Sequence, residues 1–207
     1  LLCARNIPEN SFGGESIYYM ISNMLFVIIT IIFIKKYKLE EKYGLSGLPK
    51  NCKRCLYFIP LMIIASLNLW CGINLSYTGM FLLYASISSI LIGYIEEIFF
   101  RGFLFKALEA KMGISKAIVI SSVFFGLIHI FNQQGIETLM QVLYATAIGF
   151  MLVYVLLKSK SLWPCIIFHS MLDFTALYSN WESIYTEAVI LIIISVLYTL
   201  YLRKIEE

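Results

Sequence analysis

Charged residues are scarce in this 207-residue chain, where Asp, Glu, Lys and Arg together make up 14% and hydrophobic residues make up 60%. A soluble domain carries about a quarter charged residues, so this chain has too few to cover a surface that faces water. The shortage excludes an ordinary soluble globular domain, and the high apolar content excludes a disordered chain. The sequence also lacks internal repeats and low-complexity stretches.

Long apolar runs are abundant instead. A run of about 17 to 25 apolar residues can cross a hydrocarbon layer about 30 Å thick as a helix. The runs lack the alternation that the strands of a membrane barrel need. The sequence therefore predicts an all-α, polytopic transmembrane helix bundle of about seven spans. The predicted spans are Ile17–Ile34, Leu56–Cys71, Tyr77–Phe100, Lys116–Phe131, Thr138–Leu157, Leu162–Leu177 and Glu187–Leu202.

Lys and Arg lie almost entirely in alternate loops between these spans. Short basic loops stay on the cytoplasmic side of a membrane, so fifteen of the sixteen basic residues are predicted to be cytoplasmic and only Arg5 to lie outside. This distribution accounts for the net charge of +3 without a nucleic-acid partner, and none is expected. We expect an integral membrane protein whose surroundings are the lipid bilayer. The cytoplasmic set is Lys35, Lys36, Lys38, Lys42, Lys50, Lys53, Arg54, Arg101, Lys106, Lys111, Lys116, Lys158, Lys160, Arg203 and Lys204.

The predicted organisation has four parts. Because Leu1 rather than Met begins the chain, we expect the N-terminal segment to be truncated. Phe103–Gly113 mixes apolar and charged positions at helical spacing, which predicts an interfacial helix that ends at Gly113. The parts are an N-terminal segment (1–16), two spans with a basic loop (17–76), a catalytic membrane core (77–178), and a last span with a cytoplasmic tail (179–207).

Ionisable residues inside apolar spans are functional candidates, because a buried charge is costly in a membrane. The two His residues and the one Asp of this chain, His129, His169 and Asp173, all lie within predicted spans. The carboxyl pair Glu96 and Glu97 closes the third span. With so few charges elsewhere, this concentration indicates one polar site shared by three helices.

Helical spacing suggests how these groups divide the work. Glu97 and Arg101 are four residues apart, so the guanidinium can pair with that carboxylate and leave Glu96 as a general base. An imidazole from another helix can share the deprotonation of a water molecule. The second imidazole, with Asp173, can stabilise negative charge on a carbonyl oxygen. The pattern is typical of hydrolysis of a carbonyl compound, most plausibly a peptide bond.

The predicted depths of these groups disagree. Glu96 lies near the cytoplasmic end of its span, whereas His129 lies thirteen residues, about 20 Å of helix rise, into the next one. The two side chains meet only if a helix tilts, the interfacial segment dips inward, or the span boundaries differ.

The same residues resemble the three motifs of the CAAX prenyl protease and bacteriocin-processing family, also called the Abi family. The motifs are Glu96-Glu97 followed by Arg101, Phe125 followed by His129, and His169 followed by Asp173, in that order on successive hydrophobic segments from about Leu82 to Leu177. The EEIFFRGFLF stretch and the LWP turn before His169 add to the resemblance. Any one motif is weak alone, but three in order are specific.

The resemblance implies a metal-free, glutamic-type intramembrane endopeptidase in a bacterial cell membrane. It assigns Glu96 and His129 to water activation, and His169 and Asp173 to the oxyanion site. It gives Glu97, Arg101 and Phe125 supporting roles. Relatives commonly have Asn where this chain has Asp173. Because an ionised Asp would repel an oxyanion, we expect Asp173 to be protonated or to orient His169.

Several alternatives stay open on the sequence. Glu96, His129 and His169 can supply the ligands of an open catalytic zinc site, although neither His lies in an HExxH motif. The acids and imidazoles also suit a proton-linked transporter. A third alternative is a bacteriocin self-immunity protein without catalysis. The expected substrate is a membrane-associated peptide or protein, and nothing in the sequence shows that it is prenylated.

Overall fold

The computed structural model describes residues 12–49, 58–131, 135–181 and 183–204. The predicted N-terminal segment 1–16 lies outside them up to residue 11, as do Lys50, Lys53 and Arg54 of the predicted basic loop. The eight α-helices of the described residues are α1 (Phe12–Lys36), α2 (Phe58–Ser66), α3 (Gly79–Glu97), α4 (Phe105–Met112), α5 (Ile114–Leu127), α6 (Ile136–Ser159), α7 (Trp163–Ala176) and α8 (Ile184–Lys204). Short 3₁₀ segments follow α2 (Leu67–Leu69) and α5 (Ile128–Phe131), and a π-helix (Ile98–Leu104) joins α3 to α4.

The fold is all-helical, as predicted, and the described residues contain no strand beyond an isolated bridge between Ile73 and Ser179. Every predicted span overlaps a helix, and Leu56, the first residue of the second span, lies outside the described residues. Within the part of the chain that the structure describes, five helical stretches are long and apolar enough to cross a membrane, and the seven-span count is not confirmed. Phe58–Leu69 is shorter than that length. Helix α7 has 14 residues, about 21 Å of rise, and falls short of a hydrocarbon layer about 30 Å thick.

The bundle has an apolar exterior and a partly polar interior. Large apolar side chains of α1 such as Ile29 and Ile32 are exposed, whereas Arg101 and Glu97 are almost completely buried. Lipid stabilises apolar side chains on the exterior, whereas buried charges are stable only when they are paired. This distribution fits an integral membrane protein.

Small residues bring the helices of the core into close contact. A Cβ atom on Gly93 of α3 would lie 2.5 Å from the main-chain nitrogen of Ser170 on α7. A Cβ atom on Gly126 of α5 would lie 2.7 Å from the Val142 carbonyl of α6. Because only glycine tolerates these approaches, α3 packs closely against α7 and α5 packs closely against α6. The Ser170 hydroxyl adds a hydrogen bond to the Ile90 carbonyl at 3.0 Å.

Gly113 reverses the chain between α4 and α5. Gly113 has φ +83°, a value that favours glycine. Helix α4 ends at Gly113, as the sequence predicted, and α5 begins directly after it. Helix α4 continues from the π-helix without a break and packs along α5. The helix predicted over Phe103–Gly113 is thus present, and its interfacial position stays a prediction.

Candidate active site

A buried ion pair anchors the site at the end of α3. The Arg101 guanidinium donates from Nη1 to Glu97 Oε1 at 2.9 Å, and the two side chains are 1% and 0% exposed. The spacing-based prediction of this pair is confirmed. The guanidinium also lies over the Phe125 ring, 4.0 Å from its centroid, so α5 covers the pair. Arg101 belongs to the π-helix, a distortion that often occurs at functional sites.

The same carboxylate connects α3 to α7. The His169 ring lies with Nδ1 2.8 Å from Glu97 Oε1. Because an ionised carboxylate only accepts hydrogen bonds, Nδ1 carries the proton and donates it. Glu97 therefore fixes the orientation of His169 as well as pairing with Arg101. The sequence did not indicate this contact, since the two residues are 72 positions apart.

The other nitrogen of His169 faces two more acids. His169 Nε2 lies 3.8 Å from Glu96 Oε2 and 3.7 Å from Asp173 Oδ2. These distances exceed a direct hydrogen bond but lie within strong electrostatic range. The Glu96 and Asp173 side chains are 24% and 21% exposed, because both face an internal cavity. Glu96 Oε2 has no hydrogen-bond partner among the described residues.

His129 lies in the 3₁₀ turn after α5. Its Nδ1 is 2.7 Å from the Phe125 carbonyl oxygen. A carbonyl oxygen can only accept, so Nδ1 donates, and Nε2 of the neutral ring keeps a lone pair. The Phe125 ring contacts the rings of His129 and His169, at centroid distances of 5.2 and 5.7 Å. Phe125 thus holds both imidazoles and the guanidinium on one side of the cavity.

The four predicted catalytic side chains line one cavity of about 310 Å³. The predicted disagreement in depth disappears because Glu96 lies 17 residues before Gly113 and His129 lies 16 residues after it. A helical hairpin with arms of equal length returns His129 to the level of Glu96. The extra depth comes from the π-helix and α4, which continue α3.

The cavity wall includes polar residues that the sequence reasoning missed. Glu187 is an acid at the start of a predicted membrane span. The rule that an ionisable residue within a span is a functional candidate therefore applies to it as well. The amides and phenols carried no such signal, because these residues are common at membrane surfaces. The missed polar residues are Tyr19, Asn68, Asn74, Tyr77, Gln141, Tyr144, Ser179 and Glu187.

The cavity extends toward the end of the bundle opposite the Lys-rich segments. Asn74 and Ser179 line it, and the Asn74 amide nitrogen donates to the Tyr178 carbonyl at 2.9 Å. At the other end of α7, the Leu162 amide donates to the Gly44 carbonyl at 2.8 Å. This contact lies beside the two Lys-rich segments, which contain Lys35–Lys42 and Lys158–Lys160. The cavity therefore lies nearer the end of the bundle away from the Lys-rich segments, and the side of the membrane that this end faces stays a prediction. The short helix α7 separates the two ends.

Among the residues that the structure describes, no group of three or more His, Cys, Asp and Glu is arranged to hold a metal ion. The zinc set predicted as an alternative, Glu96, His129 and His169, lies on the cavity wall. His129 uses Nδ1 toward Phe125 and His169 uses Nδ1 toward Glu97, so a metal would have only the two Nε2 atoms available.

Part of the chain matches a known protein family. A family model described as type II CAAX prenyl endopeptidase Rce1-like matches residues 78–175, which include every predicted site residue. No curated protein and no solved structure matches the chain. The match confirms the resemblance to the CAAX protease family and implies a protease, a hydrolase of peptide bonds. Residues 78–175 of this integral membrane protein are therefore similar to the Rce1-like family of type II CAAX prenyl endopeptidases.

Proposed function

We propose that the protein is an intramembrane endopeptidase that hydrolyses a peptide bond with water activated by Glu96 and His129. One observation carries the proposal: Glu96, His129, His169 and Asp173 come from three helices and line a single cavity. A cavity of about 310 Å³ lies within the size range of pockets that bind small molecules or short peptide segments. The expected substrate is a membrane-associated peptide or protein.

In the proposed first step, a water molecule in the cavity attacks the carbonyl carbon of the scissile bond. Glu96 takes a proton from this water, and His129 Nε2 accepts a hydrogen bond that orients it. The available lone pair on Nε2 supports this role, because Nδ1 donates to Phe125. The new bond between the water oxygen and the carbonyl carbon gives a tetrahedral intermediate with a negatively charged oxygen.

His169 stabilises that oxygen in the proposal. With Nδ1 fixed by Glu97, a protonated Nε2 points into the cavity and can donate to the oxyanion. Asp173, 3.7 Å from Nε2, orients the ring without itself donating to the oxyanion. Collapse of the intermediate breaks the C–N bond, and Glu96 returns its proton to the leaving amine.

The proposed mechanism uses no metal. Chelators that remove zinc should therefore leave proteolysis by the purified protein unchanged. Loss of activity with a chelator and its return with Zn²⁺ would support the zinc alternative, with Glu96 and the two His residues as ligands.

The experiment that tests the function compares membranes containing wild-type protein, E96Q and the matched control E109Q. Glu109 pairs with Lys106 at the surface, 2.9 Å away, so E109Q makes the same chemical change away from the cavity. New peptide termini, read by mass spectrometry, should appear with wild-type protein and E109Q and be absent with E96Q. Equal cleavage by folded E96Q would exclude Glu96 as the base.

A further inference from the structure

Asn68 is a buried polar residue on the cavity wall that the proposed reaction does not use. It lies in the 3₁₀ segment after α2, is 2% exposed and lines the cavity. Helix α7, which carries His169 and Asp173, packs against this segment. Asn68 lies outside residues 78–175, so the family match does not cover it.

Two acceptors on α7 fix the orientation of the Asn68 amide. Its Nδ2 donates to the Leu172 carbonyl and to Thr175 Oγ1, both at 2.9 Å. A carbonyl oxygen only accepts, and the Thr175 hydroxyl itself donates to a carbonyl, that of Ala65 at 2.7 Å. The amide nitrogen therefore faces α7, and both of its protons are in use.

The amide oxygen is left facing the cavity. Asn68 Oδ1 receives no hydrogen bond from the residues that the structure describes, and protein atoms do not enclose it completely. Because the side chain is buried and lines the cavity, the space that this oxygen meets is the cavity. Buried acceptors in proteins are nearly always paired, so a rigidly held oxygen of this kind indicates a donor that enters with a ligand.

The surroundings of this oxygen favour an uncharged donor. The amide carries no charge, and Leu172 and Ala176 of α7 add apolar side chains to the same wall. An ammonium or guanidinium group would lose hydration there without gaining a counter-charge, because the neighbouring acid, Asp173, faces His169. A peptide that enters the cavity offers an uncharged donor at almost every residue, its main-chain N–H.

We propose that Asn68 Oδ1 accepts a hydrogen bond from one main-chain N–H of the substrate, close to the scissile bond. The proposal rests on the proposed function and deepens it: the substrate is held by its backbone, in a fixed register relative to the cleaved bond. The hydrogen bond of Asn68 to Leu172 keeps Oδ1 at a constant distance from the adjacent Asp173. Recognition at this point depends on the backbone and not on the side chain of the bound residue.

The first test uses a peptide that the full chain cleaves from a library in detergent micelles, identified by mass spectrometry. In a series of analogues, one main-chain N–H at a time, outside the scissile bond, is replaced by an ester oxygen. One replacement should lower kcat/KM about 3- to 30-fold for wild-type protein, because the ester lacks the proton and places an oxygen against Oδ1. N68A, or N68S where the alanine variant does not fold, should bring that ratio close to one. N68D should keep it, because an acceptor oxygen remains.

Two control variants separate this contact from the packing of α7. N74A makes the same change on the same wall, but Asn74 Oδ1 already accepts from the Ser76 amide at 2.9 Å. T175V removes one partner of the Asn68 amide nitrogen and leaves Oδ1 in place. Both variants should keep the ester effect, whatever their overall rate. A series without a sensitive position, or an ester effect that folded N68A retains, would overturn the proposal and leave water as the partner of Oδ1.

The second test measures binding without catalysis, with E96Q protein and fluorescence anisotropy in micelles. The probe is the peptide of the first test, labelled with fluorescein; where no peptide is cleaved, labelled Ala-Leu-Ala-Leu-Ala amide takes its place. One ester replacement should raise Kd about 3- to 30-fold for E96Q but not for folded E96Q/N68A. This result without any cleavage by wild-type protein would contradict the proposed function and keep the backbone contact. Equal Kd values across the series would overturn the contact.

Discussion

The buried pair Glu97–Arg101 gives the sharpest test of the structure. The two side chains are 0% and 1% exposed and are joined at 2.9 Å. Replacing either by Ala leaves the partner charge buried without compensation, a change that costs about 3–5 kcal/mol of unfolding free energy. E97A also removes the acceptor of His169 Nδ1, and an unsatisfied donor adds about 1–3 kcal/mol. R101A also removes the contact of the guanidinium with the Phe125 ring.

The double variant E97A/R101A should cost less than the sum of the single variants. Removing both charges eliminates the uncompensated partner, so we expect a coupling free energy of about 1–3 kcal/mol. The unfolding free energy can be measured by titration with a denaturing detergent in mixed micelles. Activity should fall in every variant that lacks Glu97, because His169 loses the group that orients it.

The neighbouring surface pair provides the matched control. Lys106 and Glu109 are also 2.9 Å apart, but their side chains are 27% and 30% exposed. The K106A and E109A variants should cost about 0–1 kcal/mol each and show almost no coupling. Additive effects of E97A and R101A, or a cost no larger than that of the surface pair, would refute the reasoning from burial.

Three further variants test the packing, the oxyanion site and the topology. G93A should lower stability by about 1–3 kcal/mol in the same unfolding assay, because its Cβ would overlap the main chain of Ser170; an unchanged stability would contradict the close helix contact. D173N should keep peptidase activity within about tenfold, whereas D173A should lose about 100-fold, since only the amide can still hold His169; inactive D173N would mean that the charge itself is needed. A variant with exposed Cys71 as its one cysteine should react with a membrane-impermeant maleimide on intact cells, and protection there would reverse the predicted orientation.

Hydropathy was enough to locate the helices, because each apolar run folds as a local helix whatever its neighbours do. It could not decide which helices cross the membrane. The run at Leu162–Leu177 has the composition of a span but forms only 14 helical residues, Trp163–Ala176, packed against other helices. Short core helices and spans have the same apolar composition, and only the length of regular helix separates them.

Spacing along one helix predicted the contact of Glu97 with Arg101, since residues four apart lie on the same face. No local rule could predict that Glu97 also holds His169, which comes from a helix 72 positions later. The depth of His129 was misjudged for the same reason. The length of α3 with its π-helix and α4 decides where the chain reverses, and a hydropathy window does not detect that length.

The sequence alone determined an all-helical membrane protein and the residue types that carry its chemistry, because hydrophobicity and the cost of charge in lipid act residue by residue. The tertiary structure decided that these residues share one cavity, at which end of the bundle that cavity lies, and that Gln141 and Glu187 complete its wall. Contacts between distant segments depend on how the helices pack, and close packing requires glycine at single positions such as Gly93 and Gly126.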